Sequence, residues 1–153
     1  AVDGYYQRAF DELGIVISQE LRLEAARETN GSPYLLQLIG YNVALRVDSG
    51  ETVTRDLLEG AVAASREDYE NDVCGTTLAA LSDMDCKFLM AMADDGEESR
   101  MVDLAERLGV EQDYAQKYRR RLIDAGVIEA SRRGYVRFAV PLLGDYLRRD
   151  LWD

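Results

Sequence analysis

Between residues 99 and 126, apolar positions recur with a helical period in two runs separated by Gly109. The first run places its apolar residues mostly on one helical face: Val102, Leu104, Ala105 and Leu108. The second run turns three residues to one side at spacings of three and four: Ala115, Tyr118 and Leu122. Gly109 can end the first helix in the left-handed conformation, and Gly126 can end the second. The pattern predicts a helix-turn-helix.

The segment from Val127 to Val140 contains two β-rich runs on either side of Ser131-Arg132-Arg133-Gly134, a tetrapeptide typical of tight turns. It predicts a β-hairpin, and a helix-turn-helix followed by a hairpin is the winged-helix layout. We expect Pro141 to start a last amphipathic helix, whose apolar residues are Leu142, Leu143, Tyr146, Leu147 and Leu151.

The first half predicts a small helical bundle, with helices at about 5–13, 19–29, 33–47 and 55–69, and a polar loop from Asp48 to Glu51. Its sharpest local signal is Asn30-Gly31-Ser32-Pro33. Gly31 can end one helix in the left-handed conformation, Ser32 can cap the next, and Pro33 suits the first turn. The helix that follows is apolar on nearly every side, which places it at a bundle centre or under a neighbouring domain.

Residues 70 to 77 show no hydrophobic period and contain Gly75, so we place a domain boundary there. The predicted fold is mainly α: a helical bundle over residues 1–72, then a winged helix-turn-helix with one β-hairpin over residues 76–153. The second part opens with Leu78-Ala79-Ala80-Leu81, and Ser82 then caps a helix that runs to about Ala93. An acidic loop, Asp94 to Glu98, follows, and we expect it to be solvated.

The charge distribution makes the second helix of the motif and the hairpin a basic island on an acidic chain. The 153 residues carry a formal net charge of −11, which opposes unaided binding to nucleic acid. Between residues 117 and 137, however, seven basic side chains stand against two acidic ones. We predict contacts to double-stranded DNA from Gln112, Gln116, Lys117, Arg120, Arg121, Arg132 and Arg133. The alternative is a solvated basic face, or salt bridges to nearby carboxylates.

Several kinds of chemistry are excluded. Histidine is absent, which removes histidine-dependent nucleophiles and histidine metal sites. Cys74 and Cys86 are too few for a zinc site or a disulfide framework, and the acidic loop lacks EF-hand spacing. We therefore expect no metal site and no catalytic residue. No apolar run approaches the roughly 20 residues of a membrane span, and no signal peptide is visible. We expect a cytoplasmic location and no membrane partner.

Two stretches together resemble a known arrangement. The stretch from Glu28 to Val43, ETNGSPYLLQLIGYNV, resembles the Gly-x-Pro corner in the helical lid of AAA+ and STAND-type P-loop ATPases. The winged helix after it looks like the C-terminal module of the same proteins, both bacterial ATPases and archaeal origin-recognition-type ATPases. The resemblance implies that Gly31, Pro33 and Tyr34 lie near bound ATP or ADP in a longer parent chain.

The sequence departs from these families at one position and lacks their nucleotide-binding motif. Many AAA+ proteins carry a sensing arginine directly after the proline, where this chain has Tyr34, so the STAND-like version fits better. No Gly-x-x-x-x-Gly-Lys-Ser/Thr motif occurs in the sequence. Because the first residue is also not methionine, we expect an excised piece whose ATPase core lies upstream. This piece alone is then not an enzyme and holds no cofactor.

Three functions stay open on these grounds. In the first, the winged helix binds DNA or a partner while the lid reports the nucleotide state of the upstream core. In the second, the winged helix is a protein-interaction or autoinhibitory module that docks onto that core. In the third, the chain is a stand-alone transcription regulator with a dimerising N-terminal bundle, which would make it a homo-oligomer.

Overall fold

The computed structural model describes residues 1–48 and 51–152, with side chains described up to Arg149. Ser49 and Gly50, from the predicted polar loop, lie outside the described residues, as does the side chain of Leu151. The chain divides into two compact units, Ala1–Tyr69 and Glu70–Asp153. The domain limits expected from the sequence, 1–72 and 76–153, remain a proposal.

The first unit consists of four helices: α1 (Val2–Leu13), α2 (Gln19–Glu28), α3 (Pro33–Arg46) and α4 (Arg55–Tyr69). Three of them begin at the predicted hydroxyl caps. The Oγ of Ser18 accepts from the N–H of Leu21, and that of Ser32 accepts from the N–H of Leu35, each at 3.2 Å. Thr54 caps α4 in the same way. These bonds satisfy backbone donors that the first turn of a helix leaves unpaired.

The core of the first unit forms where α1, α2, α3 and α4 turn their apolar faces together. The rings of Tyr6 and Phe10 stack at 5.3 Å, and the Tyr6 hydroxyl donates to the Leu36 carbonyl at 2.8 Å. Burial raises the pKa of Tyr6. Around this pair lie further buried residues: Leu21, Ala25, Ile39, Val43, Leu58 and Ala61. Full burial of each large apolar side chain stabilises the unit by about 1.5–3 kcal/mol.

The helix α3 is not enclosed on all sides. Leu35, Ile39 and Val43 are buried on one face. Tyr41 and Leu45, by contrast, are 63% and 62% exposed. The apolar sequence of this helix therefore places it in the core along one face only.

The second unit has more elements, in the order of a winged helix. A π-helical segment (Glu70–Cys74) and α5 (Gly75–Ala79) precede α6 (Asp83–Ala93), β1 (Ser99–Arg100), α7 (Met101–Leu108) and α8 (Gln112–Asp124). The elements β2 (Ile128–Arg132), β3 (Tyr135–Phe138) and α9 (Leu143–Trp152) follow. The fold class predicted from the sequence, mainly α with a helical bundle and a winged helix, is confirmed.

The predicted hairpin is present and carries a third strand. The strands β2 and β3 pair antiparallel, with Ala130 opposite Val136, and the turn between them contains Gly134 with φ of 80°. The strand β1 pairs with the other edge of β3, giving the order β1-β3-β2. The sequence did not predict β1, because two residues are too few to show a period.

Two other expectations for this unit were wrong. Val102 is 41% exposed, whereas its neighbour Met101 is buried. The last helix begins at Leu143 and not at Pro141, because Leu142 adopts a left-handed conformation with φ of 66°. Residues 70–77, where the sequence predicted a boundary and assigned no element, lie within the π-helical segment and α5.

Candidate nucleic-acid interface

The position of α8 is fixed by the turn before it and by its buried edge. Gly109 ends α7 with φ of 67°, as predicted, and its N–H donates to the Glu106 carbonyl at 3.0 Å. The helix α8 then begins at Gln112, with Ala115 and Leu122 buried against the rest of the unit. Because these two side chains point inward, the opposite face of α8 is turned to solvent.

The solvent face of α8 carries four of the predicted DNA contacts. Gln112, Gln116 and Arg120 follow one another at intervals of four residues and are exposed, as is Lys117 beside them. Within the described part of the chain, no ion pair involves Lys117 or Arg120. The face therefore presents two amides and two cations that are not engaged in salt bridges.

Two carboxylates share this solvent face. Asp113 is exposed one helical turn before Lys117, and Asp124 is exposed one turn after Arg120. The charges of the two cations and the two carboxylates largely cancel when felt from a distance. The solvent face of α8 thus offers hydrogen-bonding groups in fixed positions and little net charge.

Two tyrosines border the solvent face. The rings of Tyr114 and Tyr118 meet edge to face at 5.3 Å, and their hydroxyl oxygens are 3.3 Å apart. The Nζ of Lys117 lies 5.9 Å from the ring centroid of Tyr118, within range of a cation–π interaction. The hydrogen bond with Tyr114 raises the pKa of Tyr118. Tyr118, predicted to point inward, is only half-buried.

Arg121 ties α8 to α6. Its Nη2 lies 2.9 Å from the Oδ2 of Asp85, whose side chain is 2% exposed. The same carboxylate accepts from the backbone N–H and the hydroxyl of Ser82, completing a capping box at the start of α6. The hydrogen bond from Arg121 holds the pKa of Asp85 below its usual range. Arg121 therefore positions α8, whether or not it also reaches DNA.

The wing arginines differ from each other. Arg132 donates from Nε to the Oε1 of Glu98 at 2.8 Å, and its guanidinium lies 3.8 Å from the ring centroid of Tyr135. Arg133, at the turn, is exposed, and no ion pair to it is found among residues whose side chains are described. Of the two predicted wing contacts, only Arg133 has its charge unengaged.

The predicted solvated loop is in fact tied down at two positions. Asp95 forms an ion pair with Arg107, with an Nη1–Oδ2 distance of 2.7 Å. Glu98 accepts hydrogen bonds from Ser131 and Arg132. The hydrogen bond from Ser131 is the main cause that lowers the pKa of Glu98. Asp95 therefore joins this loop to α7, and Glu98 joins it to the wing.

The residues predicted near a nucleotide lie at a sharp corner of the first unit. Gly31 has φ of 71°, and Pro33 occupies the first turn of α3. The ring of Tyr34 packs edge-on against that of Tyr69 at 5.9 Å. A cavity of about 420 Å³ opens beside the corner and is lined by residues that include Tyr5, Ser32 and Pro33. The corner is confirmed as a structural feature, and its nearness to a nucleotide stays a prediction.

Three residues of this surface were not among the predicted contacts: Arg100, Tyr135 and Glu98. Arg100 is exposed on β1 and pairs with Tyr135 of β3. Glu98 precedes β1 and reaches the wing. No local signal points to any of them, because their proximity depends on the pairing of β1 with a strand far along the chain.

The geometry of α7, α8 and the hairpin defines the second unit as a winged helix-turn-helix. The chain belongs to the family described as a domain of unknown function (DUF8462), whose model matches residues 71–147. No curated protein matches the chain.

Solved structures of RuvB from Thermotoga maritima show a distant likeness. One is described as a Holliday junction branch migration motor; it is 20% identical, with a TM-score of 0.40, and the alignment covers 96% of this chain and 47% of that one. Two RuvB mutants give the same coverage, with 18% and 20% identity and TM-scores of 0.41 and 0.40. The chain spans about half the length of these RuvB chains. A likeness this weak carries no conclusion about function.

Two other kinds of site are absent from the described residues. No helix there is both long and apolar enough to cross a membrane. Among the side chains of residues 1–48 and 51–149, no group of three or more histidine, cysteine, aspartate or glutamate residues is placed to hold a metal ion.

Proposed function

We propose that the winged helix binds double-stranded DNA through the solvent face of α8, with the wing adding phosphate contacts. One observation carries this proposal. The face that presents Gln112, Gln116, Lys117 and Arg120 is exposed, and it lies opposite the buried Ala115 and Leu122. Amides and guanidinium groups on such a helix can bond base edges, and the cations can neutralise phosphates.

The charges on this surface predict weak, salt-sensitive binding. On α8 and the wing, four exposed cations have no salt bridge among the described residues: Lys117, Arg120, Arg100 and Arg133. If three or four of them neutralise phosphates, the logarithm of the binding constant should fall against the logarithm of salt concentration with a slope of about −3. The net charge of −11 opposes this attraction at long range. We therefore expect an affinity in the range of non-specific binding, a Kd on the order of 10⁻⁶–10⁻⁴ M.

The test is a salt titration of DNA binding by fluorescence anisotropy. Lys117→Ala combined with Arg120→Ala should weaken binding and make the slope shallower by about 2, since two phosphate contacts are lost. The matched control combines Arg8→Ala with Arg27→Ala, which removes the same charge from exposed positions of the first unit. Undetectable binding at low salt, or an equal loss in both double variants, would overturn the proposal.

The same proposal extends to a longer parent chain. There, residues 1–72 would act as the helical lid of an AAA+ or STAND-type ATPase, with Gly31, Pro33 and Tyr34 towards bound ATP or ADP. The left-handed Gly31 and the cavity beside Pro33 support this placement. The reading frame upstream of Ala1 tests it: a P-loop motif within a few hundred residues is the expected result, and its absence would contradict the extension.

A second candidate is docking onto another protein, including the ATPase core of the parent. The exposed Asp113 and Asp124 favour it, because carboxylates beside the cations repel phosphate but can pair with basic side chains of a protein. The titration separates the two candidates, since a docking module should show no DNA affinity at any salt concentration.

A further inference from the structure

The outward face of the wing sheet carries two rows of side chains in register. Residues directly opposite each other in an antiparallel pair point to the same side of the sheet. Tyr135 of β3 is opposite Arg100 of β1 on one side and Arg132 of β2 on the other. The neighbouring pair, Ser99 and Val136, is buried. The row Arg100–Tyr135–Arg132 therefore faces solvent.

The acidic partners of the wing arginines come from β2 and from the residue before β1. Arg137 of β3 is opposite Glu129 of β2, with an Nε–Oε1 distance of 2.6 Å. Glu98 lies just before β1, and its carboxylate reaches Ser131 and Arg132 of β2. Each of the two carboxylates thus forms an ion pair with one arginine of the wing: Glu129 with Arg137, and Glu98 with Arg132.

The carboxylate of Glu98 is held on both oxygens. Its Oε2 accepts from the hydroxyl of Ser131 at 2.8 Å. Its Oε1 accepts from the Nε of Arg132 at 2.8 Å and lies 2.7 Å from the Nη2 of the same guanidinium. A hydroxyl and a guanidinium that converge on one oxyanion are the donors that also suit a phosphate. Tyr135 supports the guanidinium from below at 3.8 Å.

We propose that Glu98 occupies a phosphate-binding position on the wing, formed by Ser131 and Arg132 with Arg100 beside it, and that a backbone phosphate of DNA competes for this position. The inference rests on the proposed DNA binding, and it adds Ser131 and the competing Glu98 to the contact at Arg132 that the sequence predicted. In the free protein, Glu98 neutralises Arg132. When DNA approaches, phosphate must displace the carboxylate, so Glu98 lowers the affinity of the wing for DNA.

The experiment compares Glu98→Gln with Glu97→Gln. Both changes remove one negative charge from the same loop, but Glu97 is exposed and has no ion pair among the described side chains. Freeing Arg132 should add one phosphate contact, which steepens the salt slope by about 0.9 and raises affinity about tenfold at low salt. Glu97→Gln should leave the slope unchanged. Adding Arg132→Ala to Glu98→Gln should abolish the gain.

The outcomes are distinct from those of the proposed function. If wild-type binding depends on Lys117 and Arg120 but Glu98→Gln behaves like Glu97→Gln, this inference fails and the proposed function stands. A gain that survives Arg132→Ala also overturns the inference. If neither the wild type nor Glu98→Gln binds DNA, both fail. Thermal melting checks that each variant is folded, and Glu98→Ala, with the same expected gain, replaces Glu98→Gln if the latter does not fold.

Discussion

Asp85, in the first turn of α6, and Arg121, in the second half of α8, form an ion pair with an Nη2–Oδ2 distance of 2.9 Å. The pair is asymmetric, because the side chain of Asp85 is 2% exposed and that of Arg121 is 52% exposed. Asp85 also accepts two hydrogen bonds from Ser82. The buried carboxylate therefore links the capping box of α6 to the helix that carries the proposed DNA contacts.

This pair predicts an acid-sensitive contribution to stability. Arg121 lowers the pKa of Asp85 in the folded chain. A lowered pKa stabilises the folded state fully above the unfolded value of about 3.9, and the contribution is lost as pH falls through the folded value. Wild type should therefore exceed Asp85→Asn in free energy of unfolding at neutral pH, and the difference should shrink below about pH 4.

Urea denaturation at a series of pH values measures the difference. Asp83→Asn is the matched control, since Asp83 is exposed in the same first turn of α6. At neutral pH, the free energy of unfolding of Asp83→Asn should differ less from that of wild type than the free energy of Asp85→Asn does. A gap between wild type and Asp85→Asn that widens on acidification would contradict the assigned role of the pair.

Replacing either of two glycines with alanine should change the free energy of unfolding, with opposite signs at the two positions. Gly31 has φ of 71°, and an added Cβ would meet no atom within 4 Å, so only backbone strain opposes a side chain there. Gly31→Ala should destabilise the first unit by about 1–2 kcal/mol. Gly60 lies inside α4, where the nearest atom to an added Cβ is Arg46 Nε at 3.9 Å. Gly60→Ala should stabilise by about 0.5–1 kcal/mol.

Chemical denaturation of the two variants under one set of conditions checks these signs. If both changes destabilise the chain to the same extent, the left-handed conformation at Gly31 does not hold the corner in the way described.

The acidic surface predicts that salt stabilises the fold. With 29 acidic and 18 basic residues, repulsion within the folded chain outweighs its exposed ion pairs. Salt shortens the Debye length from about 10 Å at 0.1 M to about 3 Å at 1 M, which screens that repulsion. Each gain of about 1 kcal/mol should raise the Tm by about 2–4 °C.

Thermal melting at increasing potassium chloride concentration measures this effect. The control is the same series near the sequence pI of 4.5, where the net charge is small and the salt effect should largely disappear. A Tm that falls with salt at neutral pH would mean that the exposed ion pairs outweigh the repulsion.

Much of the fold was predictable because its signals are local. The caps Ser18, Ser32 and Thr54, the left-handed Gly109 and the hairpin turn each act within a few residues. Burial of Ala115 and Leu122 follows directly from the period of α8. The strand β1 was not predictable, since its two residues become a strand only by pairing with β3.

The charges of the site were predictable, but their pairing was not. The sequence places Arg121 and Arg132 in the basic island, and it leaves open whether each contacts DNA or forms a salt bridge. Their partners, Asp85 and Glu98, come from α6 and from the loop before β1. Only tertiary packing brings these groups together, so the division of the basic island into engaged and unengaged side chains required the structure.

The most direct measurement of the central claim is the change in NMR spectra when a short DNA duplex is added at low salt. The side-chain amides of Gln112 and Gln116 give resonances of their own, so they report directly on the solvent face of α8. Binding through that face should shift these amides and the backbone amides of Lys117 and Arg120, and raising the salt concentration should reverse the shifts. Shifts confined to the first unit, or no shifts at all, would contradict the account.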